Sequence, residues 1–542
     1  MGEEKGKSFI KGAAILSIAG LIAKFMGFGY RIILARILKA DGIALYALAY
    51  PIYTTLLVVS RSGIPVSLAK LISDRIAKDE RMNAFKIFQV GRKLSIFVGL
   101  FFSILMALLA KPLVGFLGWN KDAFYPVIAL SPAIFIVSIM ATYRGFFQGL
   151  QNMKPTAYSQ IIEQFIRMIT MIFLVYYLTI NDFGKGLAAA GATFGAVTGS
   201  IAGLFTLLFI YYRQRKDIWK YVQLGSVVNI DSWKISKDIA HIGIPVTFAA
   251  LVLPLMNLVD AAIVPNRLQA AGFTIEQADL FYGQLQGFAM VLVNFPTIIT
   301  ISLAASLVPS ISEAFALERY DLIKRRTQTA LRLAVLLGLP SSIGLYLLAE
   351  PLTTVIFDSV GAAVPLRIVS WGVFFISLQQ ISSAILNGSG KTRVPAWNLL
   401  IGAITNGLIN FYLTAQPTIG INGAAFGTVT GFPVAAILNI IFVRKYTHLK
   451  FRFSEILFKP LLAVSIMGIV VFQGFRILNR YLIGITDYHL QIATFSIVFL
   501  AVLIYFVLLL LLNEIRYSDI ILLPAGKKIA NVLKRIGLVR DK

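Results

Sequence analysis

The run GLAAAGATFGAVTGSIAG, from Gly186 to Gly203, sets Gly191, Gly195, Gly199 and Gly203 four residues apart, on one face of a helix. Glycine inside a soluble helix costs roughly 0.5–1 kcal/mol relative to alanine, so a ladder of four needs a physical reason. Membrane helices supply one, because in lipid small residues at every fourth position let two backbones approach closely enough for dispersion contacts to hold them. A phosphate-cradling glycine loop is the other reading of such a run. It would need a strand before the glycines and a lysine after them, and neither is present.

Working outward, nearly the same phrase returns some 230 residues later as GINGAAFGTVTG, with Gly423, Gly427 and Gly431 at the same spacing. Other points match as well. RGFFQGLQNMKPTAYSQ (Arg144 to Gln160) is answered by SAILNGSGKTRVPAWN, so that Gly149 corresponds to Gly388. LAKLISDRIAKDERMNAFK is answered by LVPSISEAFALERYDLIKR, pairing Ser73 with Ser312. Both pairs stand 239 positions apart. An even number of spans separates them, which makes this a parallel duplication about an axis along the membrane normal.

The 542-residue chain is 58% hydrophobic and only 14% charged, with a mean hydropathy of +0.79. That excludes an ordinary soluble protein. It has no cysteine, which removes disulfides, thiolate metal sites and cysteine nucleophiles together. Apolar runs long enough to cross a bilayer number about fourteen. The first continues without a small-residue cleavage site, so it reads as a spanning helix and not as a removed signal. The expected fold is an all-α integral membrane protein of about fourteen transmembrane helices, with two pseudo-symmetric six-helix lobes plus two C-terminal helices. The boundaries follow: 1–213 for the first lobe, 214–235 for a cytoplasmic linker, 236–445 for the second lobe, 446–513 for spans thirteen and fourteen, and 514–542 for a basic tail. In the tail, Ile529, Val532, Leu533 and Ile536 form a stripe flanked by Lys527, Lys528, Lys534 and Arg535, as in a helix lying on an anionic leaflet; a plain solvated tail is the alternative.

The formal charge of +25 raises the question of nucleic acid, and its distribution answers it. Most lysines and arginines fall at the N-terminus, after even-numbered spans and in the tail. Loops after odd-numbered spans hold only Arg36, Lys39, Lys111, Lys121, Lys185, Arg267, Arg367, Arg476 and Arg480. This is the positive-inside pattern of a cell-membrane protein with both termini cytoplasmic, so the basic excess is topology and no nucleic-acid partner is expected.

Ionisable groups within spans are few, and each costs about 2.5–3.5 kcal/mol near the bilayer centre unless it faces protein or water. Lys24 and Arg31 share one face of the first span with Gly20 and Gly27. Arg61 follows in SRSGIP, where Gly63 and Pro65 loosen the helix beside the charge. Glu163 and Arg167 stand at i, i+4, a spacing at which they can pair. Asp260 lies in the seventh span with Asn257, and amides recur at Asn294, Gln379, Gln380, Asn406 and Asn410. Within spans, Lys24, Arg31, Arg61 and Arg167 outnumber Glu163 and Asp260. The three histidines, His241, His448 and His489, are scattered at helix ends, and no metal, cofactor or nucleophile constellation emerges. Short outer loops leave little room for a catalytic domain, so no enzyme is expected.

The stretches FGYRIILARILKADGIALYALAYPIY, SRSGIPVSLAKLISDRIAK and RGFFQGLQNMKPTAYSQIIEQ resemble the polysaccharide-transporter branch of the multidrug/oligosaccharidyl-lipid/polysaccharide exporter superfamily, the group of stage V sporulation protein B and the lipid II flippases. The likeness spans essentially the whole chain. It implies two six-helix lobes around a central cavity and alternating access that moves a lipid-linked, pyrophosphate-bearing sugar, such as an undecaprenyl-linked peptidoglycan precursor, between leaflets. It also implies membrane lipids and cell-wall synthesis proteins as partners, and a cavity lined by basic residues of the first two spans, the region of Lys24, Arg31 and Arg61. A pyrophosphate needs positive charge in a site of low dielectric, which agrees in sign. Two other readings stay open: a cation-coupled multidrug exporter using Glu163 and Asp260, and a membrane enzyme or scaffold of polysaccharide synthesis.

Overall fold

A computed structural model describes residues 2–223, 230–447, 453–512, 514 and 531. The tail stripe at Ile529 to Ile536 lies outside the described residues, Asn531 apart. Every regular element among them is helical: α1 Gly2–Arg61, α2 Gly63–Ala77, α3 Arg81–Phe116, α4 Phe124–Gly149, α5 Lys154–Ile180, α6 Lys185–Arg213, α7 Arg215–Gln223, α8 Ser232–Ala270 and α9 Ile275–Tyr282 in the first part. There follow α10 Met290–Ala316, α11 Tyr320–Leu347, α12 Ala349–Phe357, α13 Ala363–Ser370, α14 Gly372–Gly388, α15 Arg393–Leu413, α16 Ile421–Thr447, α17 Phe453–Leu482 and α18 His489–Leu511. Only a helix satisfies its own backbone hydrogen bonds inside lipid without closing a barrel, so an apolar chain of this kind has little choice.

Among the described residues, 11 helices are long and apolar enough to cross a membrane, or 12 when α13 and α14, bent by 41°, count as one span. The expected fourteen differs for local reasons. α1 runs for 60 residues, about 90 Å at 1.5 Å per residue, far more than one bilayer. The backbone breaks within it at Lys39, whose φ of 56° lies in the left-handed region; α1 is thus two helices joined at a kink, and the first two apolar runs of the sequence, one on each side of it, are counted together as one span. α15 carries Asn398, Asn406 and Asn410, which dilute its hydropathy. The linker also holds more structure than its composition led one to expect. α7 sets Trp219 against Phe85 of α3, ring centroids 5.6 Å apart, and Arg81 stacks over Tyr221 at 4.3 Å.

The chain forms two compact units, Met1–Gly287 with Asn410–Ile421, and Phe288–Ile409 with Asn422–Lys542. In the first unit the glycine ladder of α6 lies on α5. A Cβ built on Gly199 would stand 2.6 Å from the Glu163 carbonyl oxygen and 2.8 Å from Arg167 Cβ; one on Gly203 would stand 3.1 Å from Glu163 Cβ. In the second unit Gly431 of α16 meets α15 in the same way: a Cβ built on it would stand 2.7 Å from the Gly402 carbonyl oxygen and 2.9 Å from Asn406 Cβ. Gly402 and Asn406 stand 239 positions beyond Glu163 and Arg167. Likewise a Cβ built on Gly149 would stand 2.7 Å from the Ile72 side chain, and one on Gly388 2.8 Å from that of Ile311. The helix-ending residues of positive φ repeat too: Asp79 with Glu318, and Gln151 with Gly390. The duplication is therefore one of contacts as well as of letters.

In the second unit α17 and α18, the pair outside the repeat, are tied to the core by Tyr505, whose hydroxyl donates to the Leu336 carbonyl of α11 at 3.1 Å.

Candidate functional site

The close approach of α5 and α6 fixes where Glu163 and Arg167 point, and both turn into the first unit. Arg167 Nη2 donates to Glu163 Oε1 at 2.9 Å, the i, i+4 pair expected from spacing. The carboxylate has a second cation that the spacing did not reveal. Arg144 Nη2 donates to Glu163 Oε2 at 2.9 Å, and the same guanidinium reaches Ser159 Oγ through Nε at 3.1 Å and Nη2 at 2.9 Å. The Ser159 hydroxyl in turn donates a hydrogen bond to the Thr156 carbonyl at 2.9 Å. Arg144 is counted by its sequence position with the loop after the fourth span; the structure corrects this, placing it inside α4 with 8% of its surface exposed. From the same helix Tyr143 and Phe146 join Phe88 and Tyr211 in a cluster of rings, with Phe88 and Phe146 centroids 4.3 Å apart.

Arg61, in the last turn of α1, lies close enough to Arg144 and Glu163 to act on both electrostatically. Arg31 joins from the middle of α1. Its neighbours are Tyr30, Tyr46 and Tyr50, and Tyr30 and Tyr46 also feel Arg167. Tyr46, Tyr50 and Tyr53 form an i, i+4, i+7 stripe in ALYALAYPIY, with successive centroids 5.3 and 5.7 Å apart. That spacing is visible in the sequence, hidden there within an apolar run. The cluster thus gathers four arginines, one glutamate and a set of phenols. Four positive charges face one negative, and the Nε–H donors of Arg61 and Arg167 are buried without a hydrogen-bond partner. A buried donor left unmade costs about 1–3 kcal/mol, more when charged.

Two expected residues stand apart. Lys24 is exposed, although Gly27 of the same stripe faces Gln164 of α5, whose side-chain nitrogen would lie 3.5 Å from a Cβ built on the glycine. Asp260 of α8 is 4% exposed, accepts from Asn410 Nδ2 at 2.7 Å and faces Tyr282. Among the described residues no group of three or more acidic or histidine side chains is arranged to hold a metal ion.

Long apolar helices, a tandem repeat of the packing contacts and a charged interior define a multi-pass membrane transporter. The comparison with known proteins places it more finely. The chain belongs to the family described as "Polysaccharide biosynthesis protein", whose model matches residues 9–315, within the multidrug/oligosaccharidyl-lipid/polysaccharide exporter superfamily. The MatE model matches residues 286–412. Stage V sporulation protein B of Bacillus subtilis (strain 168) is 30% identical over 455 residues, covering 83% of this chain and 86% of that protein. Lipid II flippase MurJ of the same organism is 26% identical over 481 residues, covering 85% and 87%. A solved structure of lipid II flippase MurJ in an inward closed conformation superposes with a TM-score of 0.66 at 15% identity, over 92% of this chain and 99% of that one. At that identity the likeness speaks for the fold.

Proposed function

We propose that this transporter flips an amphiphile with a diphosphate headgroup, a lipid-linked sugar of the lipid II kind, across the cell membrane by alternating access. One observation carries the reading: the four-arginine cluster of the first unit holds a single carboxylate, which only Arg144 and Arg167 pair with, and Arg61 and Arg167 keep buried, unpartnered Nε–H donors. A diphosphate supplies what the cluster lacks, negative charge and several acceptor oxygens for planar guanidinium forks. Arg31, Arg61 and Arg167 bind it. Glu163 holds Arg144 and Arg167 when the site is empty and competes with the departing anion, so that binding stays reversible. The phenols of Tyr46 and Tyr50 donate to headgroup oxygens without adding charge, and Lys24, exposed on the same helix as Arg31, meets the headgroup on its way in.

The topology that goes with this has both termini cytoplasmic, with the repeat boundaries near 213 and 236 and enzymes of cell-wall synthesis as suppliers of substrate. A reporter fused after Lys542 is active only inside, and one near Asp182 or Gln416 only outside. A second reading, export of a cationic compound against sodium or protons, draws on the buried Asp260–Asn410 pair and on the MatE match. Vesicles containing the purified protein and fluorescent lipid II decide between them. Flipping of unmodified lipid supports the proposal; no flipping, with uptake of a cationic dye under a cation gradient, supports the second reading. A chemically altered lipid points to an enzyme.

A further inference from the structure

The second unit contains a cavity of about 570 Å³ where the ends of α11 and α17 meet α12, α13 and the start of α18. Its polar lining is Glu350, Thr354, Arg367, Arg476, Asn479 and Arg480. Three of the nine basic residues that break the charge asymmetry of the chain therefore converge on one place. Lysine and arginine are scarce on the outer side of a membrane protein, so three on one cavity, two of them from the helix pair outside the repeat, call for a local cause.

The residues are not consumed by one another. Arg367 Nη2 meets Glu350 Oε2 at 3.2 Å, and both side chains stay about half exposed, at 45% and 58%. Arg476 stacks on the Phe472 ring at 5.3 Å, which orients its guanidinium and leaves the N–H donors free. Arg480 is exposed one turn further on. Between them Asn479 keeps a buried side-chain oxygen without a hydrogen-bond partner. The site offers a net positive charge, planar donor forks and one acceptor in want of a donor. Its remaining wall is apolar, with Pro351 and Leu490 among the lining residues, and Val360 and Ile483 exposed at 62% and 60%.

We infer that this cavity binds the phosphodiester of an anionic phospholipid headgroup bearing hydroxyls, of the phosphatidylglycerol type, in the leaflet opposite the termini. The phosphate meets Arg476 and Arg480, a headgroup hydroxyl donates to Asn479, and the apolar wall takes the start of the acyl chains. A free phosphate would satisfy the arginines but would leave that wall bare. The lipid would brace α17 and α18 against the core of the second unit, a role separate from the cluster around Glu163.

The full-length protein, purified and delipidated in detergent, tests this by thermal unfolding with added phosphatidylglycerol, phosphatidylcholine or inorganic phosphate alone. Phosphatidylglycerol is expected to raise the unfolding temperature more than phosphatidylcholine, and inorganic phosphate not to raise it. Arg476→Ala with Arg480→Ala abolishes the difference between the two lipids, Asn479→Ala narrows it, and Lys324→Ala with Arg325→Ala, an equal loss of charge elsewhere in the unit, preserves it. Should the double variant not fold, Arg480→Gln alone, at an exposed residue, is expected to lose part of the difference. An unchanged difference in the cavity variants overturns the inference. An increment reproduced by inorganic phosphate makes the site one for a soluble anion and overturns the lipid assignment. Because the readout is lipid-dependent stability, it is independent of whether lipid II is flipped.

Discussion

The two units solve the same packing problem and fill the solution differently. On α4 and α5 the first unit has Arg144, Ser159, Glu163 and Arg167; the positions 239 further on, on α14 and α15, are Ser383, Asn398, Gly402 and Asn406. Where Arg144 and Arg167 grip Glu163, the second unit has a neutral chain: Asn398 Nδ2 donates to Asn439 Oδ1 at 2.9 Å, and Asn439 Nδ2 to Ser383 Oγ at 2.9 Å. Thr300, the counterpart of Arg61, donates to Gln380 Oε1 at 2.6 Å. Glycine at 402 leaves no side chain where Glu163 stands, and its backbone meets Gly431 closely. Duplication kept the contacts that hold helices together and released the polar interior, so the charge of the first unit is not something the fold requires. A property that one copy carries and its structural twin does without belongs to function sooner than to folding.

Charge raises the stakes of each substitution, and this is where the comparison can be broken most forcefully. Glu163→Ala leaves Arg144 and Arg167 buried without a counterion, and breaking such a buried arrangement costs about 3–5 kcal/mol. Asn398→Ala removes a neutral hydrogen bond and leaves the buried Asn439 Oδ1 without that donor, at a cost of about 1–3 kcal/mol. Thermal unfolding in detergent should therefore show a larger loss for the first variant. Equal losses would mean that water reaches the arginines freely and that the cluster is a solvated surface.

Packing, by contrast, should not distinguish the units. A methyl group at Gly199 or at Gly431 meets a backbone carbonyl oxygen that cannot turn aside, at 2.6 and 2.7 Å. Overpacking of this kind costs about 1–3 kcal/mol. Gly199→Ala and Gly431→Ala are expected to lower the folded yield alike, with Gly195→Leu worse than either. A stable Gly431→Ala beside an unstable Gly199→Ala would show that α15 and α16 have drifted apart since the duplication.

How much of this was legible in the letters depended on whether the deciding quantity was local. The ladder from Gly191 to Gly203 was readable because close approach demands the absence of a side chain, and absence is visible. The Glu163–Arg167 pair followed from helical spacing alone. Arg144 was not readable as a partner, since its burial depends on α4 continuing to Gly149 and on a neighbour 19 residues away across a turn. The tyrosines of ALYALAYPIY read as part of an apolar span, because their hydroxyls matter only once Arg31 is beside them. The span count rests on quantities of two kinds: composition marks where a helix can cross a membrane, whereas the break at Lys39 that divides α1 between the first two apolar runs is a matter of backbone angle.

Function offers a finer cut. Arg61→Ala removes a cation that repels Arg144, so the fold should tolerate it. If Arg61 touches the diphosphate, the loss of one charge-assisted hydrogen bond, about 1.5–3 kcal/mol, lowers flipping at limiting lipid II by about tenfold or more. Thr300→Ala, at the twin position, should leave flipping within about twofold of wild type. Vesicle assays on protein of matched folded yield compare the two directly. Equal, unimpaired rates would take Arg61 out of the substrate path.

The smallest effect concerns the turn after α2, where the copies also differ. Glu80 accepts from Arg75 Nη1 at 2.6 Å and from Asn83 Nδ2 at 3.1 Å, and these hydrogen bonds, with the nearby positive charge, hold its carboxyl below the ordinary glutamate range. The corresponding residues of the second unit are Arg319, Ala314 and Leu322, so no such clasp exists there, although Asp79 and Glu318 share the left-handed conformation. A depressed carboxylate stabilises above its unfolded value, about 4.3, and the contribution is lost as pH falls through the folded value. The pair is partly exposed, so salt screens it and the gain is small. Hydrogen exchange over residues 75–84 should thus be faster in Glu80→Gln than in wild type at pH 7, and the difference should shrink as pH falls below about 4, while residues 314–323 show no difference at any pH. A difference that does not shrink on acidification would mean that the glutamine disturbs the turn by its shape, and that the charge of Glu80 contributes nothing to holding α2 and α3 together.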